Sequence, residues 1–184
     1  MKRALALILL LAACREETAA LPQPVDLTPE TVGYYCQMNL LEHPGPKGQV
    51  HLDGLPGAPL FYSQVRDVVA YLRMPEQSHA VTAVYVNDMG AAASWEDPGP
   101  GNWAPLADVV FVVGSDRMGG MGVAELVPFR DSAKAAAFAG AHGGRVLALD
   151  DIPHADVVPT VADLGGEDED FRARLRRLGQ QTGG

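Results

Sequence analysis

The 184 residues carry 23 acidic against 14 basic side chains, for a formal charge of −9, and 47% of them are hydrophobic. Such a length holds one ordinary domain or two small ones with a normal core, which two cysteines do little to staple. So acidic a chain is a poor match for nucleic acid, whose phosphates reward Lys and Arg.

The chain begins "MKRALALILLLAACREE", with Lys2 and Arg3 ahead of an apolar run from Ala4 to Ala13. A basic start followed by an apolar stretch too short to span a bilayer reads as a secretory signal peptide over residues 1–13. Its end, "LAAC" at Leu11 to Cys14, resembles the bacterial lipobox, in which cleavage precedes a cysteine that becomes diacylglycerylated. The alternative is ordinary secretion, with Cys14 inside a discarded apolar segment. Lipidation at Cys14 predicts a protein held on the periplasmic side of a bacterial membrane, two or more acyl chains being enough for stable anchoring. Arg15, and not Asp, follows the cysteine, so no inner-membrane retention signal is evident and the outer membrane is the expected destination. Maturation removes Lys2 and Arg3, bringing the charge to −11. With Cys14 lipidated, Cys36 is the only thiol left, and a lone thiol in an oxidising compartment needs either burial or a soft metal to protect it.

Residues 14–31 form the lipidated N-terminus and a Pro-containing linker. In the first unit, 32–90, "VGYYCQMNL" reads as a strand, and "GQVHLDGLPGAPLFYS" as a second extended segment interrupted by Gly54, Pro56 and Gly57. In "SQVRDVVAYLR", Val65, Val68, Val69 and Leu72 share one helical face, with Ser63 as the predicted N-cap. "HAVTAVYVNDM" is a strand. A loop over 91–104 follows, punctuated by Pro98, Gly99, Pro100 and Gly101 and pinned by Trp95 and Trp103. The unit 105–152 repeats the order: strands in "PLADVVFVVGS" and "GVAELVPF", a helix in "DSAKAAAFAGAHGG" capped by Asp131 or Ser132, and a strand in "RVLALDDI". The tail, 153–184, with acidic "EDED" and basic "RARLRR", reads as a solvated extension or short terminal helix. The predicted fold is α+β, two similar ββαβ modules packed together.

On a strand, side chains two apart share a face, so Cys36 and Met38 would offer a thiolate and a thioether together. Soft sulfur ligands select Cu(I), whereas a structural zinc site wants four Cys or His ligands that this chain lacks. A second sulfur-rich spot is "GSDRMGGMGVAEL", where Met118 and Met121 sit among glycines that allow close backbone approach. A phosphate-cradling reading of that loop requires a helix directly after it, and a strand pattern follows instead. Met89, near a strand end, is a further soft donor. His142 closes the second helix, where a dipole role outweighs ligation. His43 follows the cysteine closely, while His51, His79 and His154 look like surface or loop residues, and no catalytic triad or acid pair emerges, so no enzyme is predicted.

The lipobox, "YYCQMNLLEHPGPKGQV", "VYVNDMG", "VVGSDRMGGMG" and "FAGAHGGRVLALDDI" together resemble the NosL family, lipoprotein copper chaperones of nitrous-oxide reductase maturation. The resemblance implies a fold akin to part of organomercurial lyase, without the lyase's catalysis. It also implies binding of one Cu(I) per monomer and delivery to the apo-reductase with a membrane ABC transporter complex as partner. The family's C-x-M motif falls on Cys36 and Met38, and its glycine-loop methionine falls on Met121, with Met118 as an additional methionine beside it. The competing expectation is a structural or adaptor lipoprotein in which Cys36 is a core residue.

Overall fold

All five residues of β1 (Gly48–Leu52) are buried, as expected of a strand with neighbours on both edges and cover on both faces. It is an inner strand of a four-stranded antiparallel sheet in the order β2 (Leu60–Tyr62), β1, β3 (Val81–Asn87), β4 (Trp103–Pro105). Gly48 faces Tyr62 on one side and Val86 on the other, which fixes the register of three strands at one level. A second antiparallel sheet has the order β6 (Val127–Phe129), β5 (Val110–Val113), β7 (Arg145–Leu147). The structure is a computed structural model that describes residues 21–158, so the signal peptide, Cys14 and the charged runs of the tail lie outside the described residues. Among the described residues, no helix is long and apolar enough to cross a membrane.

Helix α1 (Val65–Leu72) lies between the sheets, and its apolar spacing explains why. Val68 and Tyr71 pack with Val50, Leu52 and Tyr62 of the first sheet. Val65 and Val69 pack with Phe111 and Val113 of β5, with Leu126, and with Val86 and Ala104. Both sides of α1 are therefore core, and each fully buried valine contributes about 1.5–3 kcal/mol by leaving water. Helix α2 (Ser132–His142) covers the opposite face of the second sheet, with Ala135 against Val112, Val127 and Phe129. Asp131 caps α2 by accepting from the amides of Ala133 and Lys134, as its sequence predicts, and Gly143 ends it at φ +74°.

Several expectations need correction. "GQVHLDGLPGAPLFYS" is two paired strands, β1 and β2, because Gly54 and Gly57 adopt positive φ and turn the chain between them. The cysteine run is no strand: only Val32 and Asn39 form a bridge, and the residues between them make a loop. His51 is buried in β1, edge-on to Tyr85 and bonded to Gln49 at 2.9 Å. The tail does not leave the body at Ile152, since Val157 joins the inter-sheet core and its carbonyl accepts from Arg66 Nε at 2.7 Å.

Phe111 is fully buried at the centre of the inter-sheet cluster. Phe111→Ala is expected to cost about 3–5 kcal/mol, by lost burial plus the cavity left behind. Equilibrium urea denaturation of the purified protein measures it.

Candidate metal centre

The cysteine loop is closed by its own backbone. Gly33 N donates to the Met38 carbonyl at 3.0 Å, Gln37 N to the Gly33 carbonyl at 2.9 Å, and Leu40 N to the Thr31 carbonyl at 3.0 Å. Gln37 makes the reversal at φ +54°, uncommon outside glycine, and its side-chain amide holds the turn by donating to the Gly33 and Tyr34 carbonyls. Cys36 is half-buried, its Sγ folded back over Gly33, where a Cβ would collide with the sulfur. The same sulfur stands 4.0 Å from the Met38 carbonyl. The pairing of Cys36 with Met38 thus rests on a closed turn, not on the shared face of a strand. Met38 is 42% exposed at its edge.

This loop rests on the junction between β2 and α1. Tyr34 N donates to the Phe61 carbonyl at 2.7 Å, and the rings of Tyr34 and Tyr35 lie 5.9 and 5.2 Å from that of Tyr62. Tyr35 also reaches the end of α1, its hydroxyl 3.7 Å from Met74 Sδ.

The glycine loop arrives at the same junction from the other sheet. Residues 117–125 form a small hairpin: Glu125 N donates to the Arg117 carbonyl, Met118 bridges Ala124, and Gly119 N donates to the Val123 carbonyl at 2.8 Å. Its tip is the turn Gly119–Gly122, closed by Gly122 N to the Gly119 carbonyl at 2.9 Å, with Gly122 at φ +73°. Met121 N approaches Gln64 Oε1 at 3.4 Å, and a Cβ on Gly120 would stand 2.7 Å from the Ser63 carbonyl oxygen. His43 Nδ1 meets the Gly120 carbonyl at 2.9 Å. A carbonyl only accepts, so Nδ1 carries the proton and a neutral His43 keeps the lone pair of Nε2 for a further partner. The structure therefore docks the cysteine loop, through Tyr34, and the glycine hairpin, through Gly120 and Met121, on one ledge, Phe61–Gln64, with His43 against the hairpin. Met121 is 42% and Met118 53% exposed, Met118 on the side of the hairpin and Met121 at its tip.

The other candidates have structural partners. Met89 packs against the cluster under α2, and its amide donates to the Pro128 carbonyl. His142 Nδ1 lies 3.1 Å from Asp116 Oδ1, and its ring lies 4.5 Å from that of Phe138. His79 and His154 are exposed. Trp95 stacks on Phe138 and Trp103 Nε1 donates to Asp26, so both tryptophans pin the Pro/Gly loop as expected. Among the described residues no three His, Cys, Asp or Glu side chains gather as a metal cage.

Sequence reasoning passed over Glu125. Ser63 does not cap α1; Gln64 occupies the cap position without a side-chain bond to the helix amides. Instead Glu125, 1% exposed, accepts from Val65 N at 3.3 Å and Arg66 N at 3.0 Å. Its only sequence signal is an acid inside an otherwise apolar stretch, "VAELVPF".

The NosL family model matches residues 24–157. The chain belongs to the NosL family. A relative from Achromobacter cycloclastes named copper-binding lipoprotein NosL is 55% identical over 183 residues, 97% of this chain and 94% of the relative. The protein of the same name from Stutzerimonas stutzeri is 32% identical over 142 residues, 77% of this chain and 72% of the relative. The crystal structure of the copper chaperone NosL from Shewanella denitrificans superposes with a TM-score of 0.67 at 30% identity, covering 72% of this chain and 97% of that one. The mixed α/β fold with two antiparallel sheets and two helices is thus similar to a NosL structure.

Burial pushes the Glu125 carboxyl up from its ordinary 4.5 to about 8, against the pull of the backbone amides of Arg66, Leu126 and Val65. The native state then keeps a proton that the unfolded chain releases near pH 4.5. Glu125's contribution to stability is full below that value and is lost as pH rises towards and through about 8. Glu125→Gln is expected to flatten the fall of the melting temperature between about pH 5 and 8, read by circular dichroism at a series of pH values.

Proposed function

We propose that this NosL-family protein is a lipid-anchored periplasmic carrier of one Cu(I), held by Cys36, Met38 and Met121, which delivers copper for assembly of the nitrous-oxide reductase copper centre. The observation that carries this reading is the shared ledge: the C-x-M loop and the glycine hairpin, from the two halves of the sequence, both dock on Phe61–Gln64. A thiolate with thioethers is a soft donor set that suits Cu(I) and disfavours hard ions. The names of the Achromobacter and Stutzerimonas relatives support both copper and the lipid on Cys14. The partners in this reading are the apo-reductase, a membrane ABC transporter complex and the membrane itself. The two sheets with their helices are read as two packed ββαβ units in an organomercurial-lyase-like arrangement, serving a carrier and not an enzyme.

A carrier must hold Cu(I) and also release it. One thiolate supplies most of the hold, while neutral thioethers at exposed positions can leave in turn as acceptor ligands arrive. Anaerobic titration should saturate near one Cu(I) per chain. Chelator competition should show Cys36→Ala abolishing tight binding, and Met38→Leu and Met121→Leu each weakening it by about 10-fold or more, with Met118→Leu changing it less. An equally strong site surviving in Cys36→Ala would sink the reading.

The anchor has its own test. Cys14→Ser should leave unprocessed or mislocalised precursor, scored by membrane fractionation and mass of the mature N-terminus. Normal membrane partitioning after signal removal would overturn the lipid assignment.

A further inference from the structure

We propose that Glu125 is the positioning residue for the methionine hairpin: its carboxyl, fixed to the first turn of α1, is the seat that presents Met121 to the cysteine loop. This rests on the reading of Met121 as a copper ligand.

The argument starts from an apparent misfit. A glutamate with 1% of its surface exposed is bonded to the amides of Val65 and Leu126, both members of the inter-sheet core, where an apolar residue of equal size would pack without desolvating a carboxyl. What the carboxyl supplies is a set of acceptors. Its Oε1 takes Arg66 N at 3.0 Å and Leu126 N at 2.8 Å, and its Oε2 takes Val65 N at 3.3 Å. The Leu126 bond locks the side chain to its own backbone, and the other two lock it to the helix. Gln64 cannot do this work, because its amide nitrogen donates to Asp67 and its oxygen faces Met121 N.

The hairpin is built on that fixed point. Glu125 N closes the base of the hairpin on Arg117, and Oε2 comes up beneath the tip, where a Cβ on Gly119 would stand 2.5 Å from it. Gln64 would meet the same Cβ at 2.9 Å. Only a glycine lets the backbone settle onto the carboxyl, and two residues later comes Met121. The seat therefore sets the height and direction of the tip, while Met121 itself makes no contact with Glu125 that would give Glu125 a ligating role. Near neutral pH the raised carboxyl is largely protonated, so a glutamine reproduces most of its shape and its doubly used Oε1.

A double-mutant cycle on purified full-length protein tests the inference, using anaerobic Cu(I) affinity by chelator competition and the sulfur count at copper by X-ray absorption. Glu125→Ala should weaken Cu(I) binding by about the same factor as Met121→Leu, about 10-fold or more, and each should remove one sulfur from copper. The double variant should bind no more weakly than either single one, because Glu125 acts through Met121. Glu125→Gln should recover most of the affinity. Gly119→Ala, which lifts the tip off an intact carboxyl, should reproduce the loss and decides the matter if Glu125→Ala does not fold. Parent affinity in Glu125→Ala or Gly119→Ala, or an equal further loss when Glu125→Ala is added to Met121→Leu, overturns the positioning role and leaves the copper site standing. Parent affinity in Met121→Leu overturns the ligand assignment, and this inference with it.

Discussion

A short helix buried on both sides is the constraint from which the rest of the molecule follows. Helix α1 has only eight residues, too few to be stable alone, and it persists because Val68 and Tyr71 fill one sheet's core while Val65 and Val69 fill the core between the sheets. That position denies its ends to water, so their polar groups need protein partners. The second half of the chain supplies them at the first turn, where Glu125 accepts from the amides; at the other end Gln77 donates to the carbonyls of Tyr71 and Leu72, and Arg73, just past the last turn, ties that end to the second half by donating to the carbonyls of Leu149 and Ile152. The helix is in effect bolted at each end to the other sheet.

The same bolt explains why two remote loops become neighbours. The residues leading into α1, Phe61 to Gln64, present a carbonyl to Tyr34, a carbonyl edge to Gly120 and a side-chain oxygen to Met121. His43 bridges the two visitors by meeting Gly120. No long-range docking of flexible arms is needed, since each loop is closed by its own backbone bonds and touches the ledge at one or two fixed points.

Much of this was legible in the sequence where the signal is local. The valine spacing gave α1, Asp131 gave the start of α2, and alternating or continuous apolar runs gave β3 and β5. The cysteine run misled because its aromatics mimic a strand pattern while serving another purpose: Tyr34 and Tyr35 pack onto Tyr62, and the reversal depends on Gln37 taking a backbone conformation that composition does not advertise. His51 read as surface because a histidine in an alternating strand is usually the outward residue; here Gln49 and Tyr85 give it a buried partner and a ring to lean on. In the proposed site, sulfur chemistry marked Cys36 and Met38, glycine content marked Met118 and Met121 alike, and the resemblance to the family pointed to Met121. The ledge and Glu125 could not be marked, because they are relations between residues some sixty positions apart, set by tertiary packing alone.

The hairpin and the cysteine loop belong to different halves of the chain, and anything that grips both ties one half to the other. In the carrier reading, cargo acts as a non-covalent cross-link, and by linkage its binding free energy adds to the stability of the folded state in proportion to the logarithm of its free concentration. Emptying the site then loosens the contact between the halves, most of all at the exposed hairpin tip. Loaded and empty forms would differ in how readily that edge opens, so a partner able to sense local opening has a physical basis for telling a full carrier from a spent one.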